Sequence, residues 1–485
     1  MTSISMNASS QDGAYFSRMS NDQCEKIHNA SIEILNRTGV ALHDQEAIDL
    51  LKKAGAFVSD GNRVRIPGGL VEKAFSTVPK SVTLYDRNGK PACRLEGHNV
   101  FYGTGSDCLN IIDHRTGEHR KGDLNDVVEG IKVCDALPNI DFVMSMFLPS
   151  DIDEKVSDRY QMDAMLNGTT KPIVYVTNEL SGCIDDVKMA EAVVGGAEAL
   201  RQKPLISCYI NATSGLVHNK EALQKLLFLS GKGLPAQYIP VTTGGMHAPI
   251  TPASVVAVNN AGLLTGLVLS QLKREGAPFI APAICPSRLD MKTMIIPYCL
   301  PDSKGIPENM AHYYNLPMFT TGGCSDSPIL DEQAVSEASM MLMVEALSGG
   351  HLVHDLGYLE AGLTCSLILL TICDEAIGFI EHFLAPVEIN DETLALDLID
   401  ELGPEGSYLE SKHTMENFKK DWMPGIFQRY PHDQWKLHGE KKLSDIARER
   451  VEKILAEHKP EPLPKDIQKQ LKTIIQESEK AAGIN

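Results

Sequence analysis

Residues 206–247 read ISCYINATSGLVHNKEALQKLLFLSGKGLPAQYIPVTTGGMH. One full cycle of the pattern that decides the fold lies in this stretch. A short apolar, β-branched run (Ile206–Asn211) gives way to a helical stretch (Lys220–Ser230), and a second apolar run (Ile239–Thr243) follows and ends in glycines. Runs that are apolar throughout, instead of on alternate residues, belong to strands buried on both faces. A helix between two of them makes the strands parallel.

The cycle continues in both directions. Further runs occur at Val100–Thr104, Phe142–Leu148, Ile173–Thr177, Phe279–Cys285, Met318–Thr321 and Leu352–Asp355, with helical periodicity after each. Several of the intervening helices open on recognisable caps, at Asp123, Thr251-Pro252 and Asp331-Glu332. Eight strand-then-helix units favour a closed (β/α)8 TIM barrel. A doubly wound open sheet is the alternative, and no G-x-G-x-x-G follows the first strand to support it. The 485 residues accommodate a barrel of about 250 with additions at both ends.

The flanks read differently. Residues 1–15 are polar, a capped helix starts near Ser20, a second covers His43–Ala54, and extended pieces follow at Arg63–Pro67 and Val82–Asp86. Residues 1–95 are therefore expected to be an α+β extension, 96–388 the barrel, and 389–485 a helical subdomain or oligomerisation arm. In that last part helices are expected at Glu392–Leu402, Lys441–His458 and Pro464–Ala482, with Trp422 and Trp435 between them.

Composition narrows the function. A net charge of −19 without any basic run argues against nucleic acid. Eleven scattered cysteines without a C-x-x-C pair fit a reducing cytoplasm. The amino terminus lacks a basic start followed by an apolar stretch, and no apolar run reaches about 18 residues, so the chain is expected to be neither secreted nor membrane-spanning. P-loop, G-x-S-x-G and H-E-x-x-H signatures are missing.

In such barrels the chemistry sits where strands end. Those ends offer Tyr102 to Asp107, Asn211 to Thr213, Thr242 to His247, Cys285 to Arg288, Thr320 to Asp326 and His351 to Tyr358. His247, Cys285, Cys324 and His354 form one possible zinc set. Nothing in their spacing requires it, since no two are a local pair.

Three long segments carry a resemblance: FTTGGCSDSPILDEQAVSEA (Phe319–Ala338), GGHLVHDLGYLEAGLTCSLILLTICDEAIGFI (Gly349–Ile380) and ETLALDLIDELGPEGSYLESKHTMENFKKDWMP (Glu392–Pro424). With GDLNDVVEGIKVCDALPNIDFV (122–143) and SRLDMKT (287–293), they resemble the trimethylamine methyltransferase superfamily. The resemblance implies a barrel enzyme that passes a methyl group from an amine to the Co(I) cobamide of a partner corrinoid protein. Founding members carry pyrrolysine; the matching stretch here, Asp326–Asp331, reads DSPILD. Members without it resemble the glycine betaine methyltransferases, so a quaternary amine is the implied donor. Glycine betaine is preferred over proline betaine, carnitine and γ-butyrobetaine.

The chemistry agrees, because a quaternary ammonium already leaves as a neutral amine and needs mainly positioning. Aromatic faces suit its cation. Tyr102, Tyr358 and Phe147 are the cage candidates, Asp107, Asp326 and Asp355 add negative charge, and Arg288, His247 and His354 suit a substrate carboxylate. The corrinoid signature D-x-H-x-x-G does not occur, so the cobamide is expected on the partner and no cofactor is expected on this chain. A zinc-dependent barrel methyltransferase or lyase, and a betaine-binding protein without catalysis, are the rival readings. A homo-oligomer is also compatible with the sequence.

Overall fold

The computed structural model describes residues 14–284 and 287–484. Its centre is a parallel barrel of eight strands: β1 (Phe101–Tyr102), β2 (142–143), β3 (Ile173–Val176), β4 (Ile206–Ala212), β5 (Ala236–Pro240), β6 (Phe279–Pro282), β7 (Met318–Thr321) and β8 (Leu352–His354). Hydrogen bonds link them in the order β1-β8-β7-β6-β5-β4-β3. Bridges from Gly103 to Phe142 and from Val143 to Ile173 seat β2 between β1 and β3 and close the ring. The expected TIM barrel is present with every expected strand.

Eight helices alternate with these strands: α1 (Leu124–Ala136), α2 (Ser157–Gly168), α3 (Leu180–Val194), α4 (Lys220–Lys232), α5 (Pro252–Lys273), α6 (Ile306–Tyr314), α7 (Glu332–Ser348) and α8 (Leu367–Leu384). Helical periodicity in the sequence runs over Asp185–Leu200, but helix α3 stops at Val194. Gly195 and Gly196 both take positive φ there and start a separate short helix, Ala197–Gln202. Helix α5 is apolar on nearly all sides because it is sandwiched between the barrel and the amino-terminal helices Asn21–Glu33, Gln45–Lys53 and Gly68–Thr77. Contrary to the sequence expectation, it is long and apolar enough to cross a membrane, but 83% of its most apolar window is buried inside the protein.

The barrel interior is filled by Phe101, Phe142, Met144, Val174, Ile239, Ile280, Phe319 and Leu352, one or two residues per strand except β4. The same apolar cluster includes Val82, Leu84, Cys93 and Leu95. These belong to an antiparallel hairpin, Val82–Tyr85 with Pro91–Leu95, which stoppers the amino-terminal end of the barrel. The rest of the extension is stitched on by a shared sheet, in which Val40–Leu42 pairs in parallel with Val217–His218 from the segment after β4. With one end stoppered, chemistry is confined to the other.

The carboxyl-terminal helices lie on the outside. Leu443–Glu457 packs along α8 and α1, and Lys465–Ala482 packs along α3 and α2. Ion pairs and hydrogen bonds tie them down, including His458 to Asp135 at 2.7 Å and the Tyr160 hydroxyl donating to Glu479 at 2.6 Å.

Candidate active site

Strand β4 shows where the barrel opens. Cys208, Ile210 and Ala212 face the helices and are buried, so Ser207, Tyr209 and Asn211 face inward. Along this inward face Ser207 is buried, Tyr209 is partly open and Asn211 is exposed. A strand inside a closed barrel exposes its inward residues only to a funnel. The same gradient runs from buried Val174 to partly open Val176 on β3, and from buried Ile239 to Val241, 40% exposed, just past β5. On the opposite side Thr321 and His354 remain closed over.

The floor of the funnel is aromatic. The Phe319 and His354 rings lie 4.0 Å apart, and the Tyr209 ring stands 5.4 Å from Phe319 and 5.8 Å from His354. Nδ1 of His354 is 2.6 Å from the Thr320 carbonyl oxygen. That oxygen only accepts, so Nδ1 carries the proton and Nε2 presents a lone pair. Burial holds His354 neutral, with its pKa pressed down to about 3, and the Lys304 charge adds to the effect. Nε2 points at Oδ2 of Asp355, 3.4 Å away.

Two carboxyls stand beside this floor. Burial, and then the charge of Asp107, push Asp355 up to about 8, although Lys304 opposes them. At neutral pH Asp355 is therefore an acid, whose O–H can turn toward the His354 lone pair. Asp107 reaches solvent through the funnel yet is ringed by protein, and this desolvation raises its pKa against the hydrogen bond from Ser106. Both residues take a left-handed backbone, φ 74° at Asp107 and 73° at Asp355. Strain of this kind in non-glycine residues costs about 1–3 kcal/mol each and concentrates at functional sites.

Tyr298 completes the wall. It comes from the loop after β6 with its hydroxyl against Gly362, and burial first, then the charges of Asp355 and Tyr209, raise its pKa. Asp326 fixes this loop: Oδ1 accepts from the Tyr298 N–H at 2.7 Å and Oδ2 from the Cys299 N–H at 3.0 Å. Lys304 works from behind. Its Nζ donates to the Thr321 carbonyl and lies 3.4 Å from Glu345, among buried groups on the helix side of β7.

Of the residues expected from sequence, Asp107, His354 and Asp355 meet in the funnel, and Asp326 acts one step back through Tyr298. Tyr102 and Phe147 lie elsewhere. On β1 it is Phe101 that fills the barrel, so Tyr102 turns outward, where its hydroxyl is buried and has no hydrogen-bond partner among the described residues. Phe147 is fully buried against Gly122. His247 and Arg288 sit on the rim, where Thr243–Gly244 pairs in parallel with Ser287–Arg288 and the Thr243 N–H donates to His247 Nδ1 at 3.3 Å.

Tyr358 is a strut instead of a cage wall. Its side chain is buried, and its hydroxyl lies within 2.7 Å of the Ser106 carbonyl and 2.6 Å of the Met146 carbonyl. Tyr358→Phe is expected to cost about 1–2 kcal/mol of stability, read as a lower urea midpoint. Turnover of the remaining folded enzyme should change less than twofold.

The zinc set is not gathered. Cys285 lies outside the described residues, the Cys324 sulfur faces Met341 of α7, His354 faces the funnel and His247 stays in its rim turn. Among the described residues, the trio close enough to share a metal is Cys299, Asp326 and Glu337. Its carboxylates already accept from the backbone N–H groups of Tyr298, Cys299 and Asp326 and from the Ser325 hydroxyl.

Tyr209 and Tyr298 were not singled out from sequence, and Asn211 was named only as a strand-end residue without a role. Ser207, Tyr209 and Asn211 are polar at every second position of an otherwise apolar strand, which is a legible sign of one wetted face. No comparable signal marks Tyr298.

The trimethylamine methyltransferase (MTTB) family profile matches residues 3–483. This chain belongs to the trimethylamine methyltransferase family. The trimethylamine methyltransferase MttB of Desulfitobacterium hafniense is 31% identical over 98% of this chain and 96% of that protein. A glycine betaine methyltransferase from another strain of that species is 26% identical, over 96% of this chain and 98% of its own length. Among solved structures, the Methanosarcina barkeri monomethylamine methyltransferase shares the fold, with a TM-score of 0.52 at 13% identity, covering 91% of this chain and 89% of that one. The chain is thus a TIM-barrel methyltransferase of a family that acts on small methylated amines.

Proposed function

We propose that this member of the family takes a methyl group from a quaternary amine, glycine betaine first among the candidates, and delivers it to the Co(I) cobamide of a corrinoid protein. The observation that carries the reading is the funnel itself, where Tyr209 joins Phe319 and His354 in an aromatic floor and feels the charges of Asp355 and Asp107. Aromatic faces and carboxylates together attract a permanent cation. The DSPILD stretch holds standard residues where founding members carry pyrrolysine, and a quaternary donor does not need the activation that a tertiary amine does.

Each residue then has a task. Tyr209 and Tyr298 face the ammonium, Asp107 supplies charge at the open side, and Asp355 becomes charged as the cation enters. Asn211, exposed in the funnel, and Arg288 on the rim suit the carboxylate of a betaine. The cobamide, when its carrier docks, supplies the nucleophile that accepts the methyl group; this chain holds N⁺–CH₃ pointing outward and keeps water from the floor. Support for a docking protein comes from the rim, where Met246, Ile250, Met291, Met294 and Ile295 are exposed around the paired segments.

The test is incubation with a Co(I) corrinoid protein and a panel of glycine betaine, proline betaine, carnitine, γ-butyrobetaine and trimethylamine, followed by the spectral change to methyl-Co(III). Methylation by a quaternary compound is expected. Methylation by trimethylamine alone, or by none of the panel, defeats the reading.

A further inference from the structure

Residues 387–437 form an arm that the rest of the molecule does not cover. Twelve large apolar side chains in this stretch are exposed, among them Val387 at 82%, Leu409 at 76%, Ile389, Leu396 and Met415. Its helices Asp391–Leu394, Leu396–Leu402 and Lys412–Asn417 contain no buried residue. The helix expected over Glu392–Leu402 is broken at Ala395, which takes φ 47° and turns the two halves apart. The ends of the arm are nonetheless well anchored. Trp422 stands edge-on to Phe379 at 5.4 Å, Glu375 accepts from the Gly425 N–H, and Ile426 packs on Ile368 and Ile372. A solvent-exposed apolar arm between firm anchors lacks a partner.

Charge divides the arm in two. Residues 388–410 hold eight acidic residues and no lysine or arginine, whereas 411–437 hold five basic residues against three acidic ones. Each half is complementary to the other half of an identical arm laid across it. We propose that two copies of this chain pair through the arm about a two-fold axis, with the acidic run of each on the basic run of its partner. A two-fold contact is self-complementary by construction, which suits a surface bearing both signs. Covering a dozen apolar side chains also matches the scale of one stable interface, about 800 Å² per partner.

Position decides between a second copy and a methyl-acceptor protein. Helix α8 begins just past β8 at the open mouth and descends, so the arm leaves at the stoppered end, and Trp422 returns to the same lower half of α8. An acceptor must reach the mouth. Ile426 then climbs to Ile368 and Ile372 in the first turns of α8, so it is a pair joined through the part of the arm before Trp422 that leaves both mouths free.

Sedimentation of the full-length chain at micromolar concentration tests this. The wild type is expected at the mass of two chains, and the Leu396→Glu/Leu409→Glu variant at the mass of one, with its circular dichroism and methyl-transfer activity kept. A second measurement does not depend on that variant folding. Lys419→Glu/Lys420→Glu and Glu401→Lys/Glu405→Lys should each fall to one chain, and an equimolar mixture of the two should return to two. A single-chain wild type, a two-chain Leu396→Glu/Leu409→Glu variant, or a mixture of the charge variants that stays single each overturns the proposal. So does a wild type that associates only when the acceptor protein is added.

Discussion

Gly105→Ala is expected to lower kcat/KM by about 10²-fold while leaving the fold intact, as read by steady-state methyl transfer beside a thermal melt. The reason is contact. A Cβ at position 105 would lie 2.0 Å from Oδ1 of Asp355 and 2.7 Å from Cζ of Tyr358. Tyr358 is wedged in place by its buried ring and its backbone partners, so Asp355 has to move. Asp355 has a left-handed backbone and lies 3.4 Å from His354, so a displacement of about 1 Å reaches the funnel floor directly. Gly103→Ala serves as the comparison. Its Cβ would strike the Phe142 ring at 2.5 Å inside the barrel core. That variant should lose stability first and activity only in proportion to the folded fraction.

The second large effect concerns pH. Asp355 is neutral below about pH 8 and charged above it. A bound quaternary cation favours the charged form, so binding should expel a proton at neutral pH, and affinity should climb with pH until it levels above about 8. The sign follows from linkage: a ligand that prefers the deprotonated state binds more tightly as protons become scarce, by up to about tenfold per pH unit. Calorimetry at pH 7 in buffers of different ionisation enthalpy would read the released proton. Asp355→Asn should abolish it and flatten the profile. Asp107→Asn should keep the release but move the profile to lower pH, because the repulsion from Asp107 is the second cause of the raised Asp355 pKa, after burial. An unchanged proton count in Asp355→Asn would rule this account out.

The barrel was readable from sequence because eight apolar runs and eight helices recur in strict alternation, and parallel strands covered by helices leave that mark without detail of packing. The same property hid the side-chain facing. A strand apolar on both faces has no period of two, so nothing in Val100–Thr104 told that Phe101 points into the barrel and Tyr102 away from it. Phe147 escaped for the same reason. Asp107 and Asp355 could be named because they follow strand ends, whereas Tyr298 depends on a loop whose path is set by Asp326, 28 residues further on. The hairpin at 82–95 was half visible: its first strand stood out, but its place under the barrel is a tertiary fact. Gly195-Gly196 was a stop signal that helical periodicity overrode.

The stopper formed by Val82, Leu84, Cys93 and Leu95 has a kinetic meaning as well. On the proposed function, in which the acceptor is a corrinoid protein, sealing the far end leaves the amine and that protein to share a single doorway, which the protein fills. The small molecule therefore has to be inside before the large one arrives, and the demethylated amine has to wait for the large one to depart. Excess empty acceptor should behave as a cork.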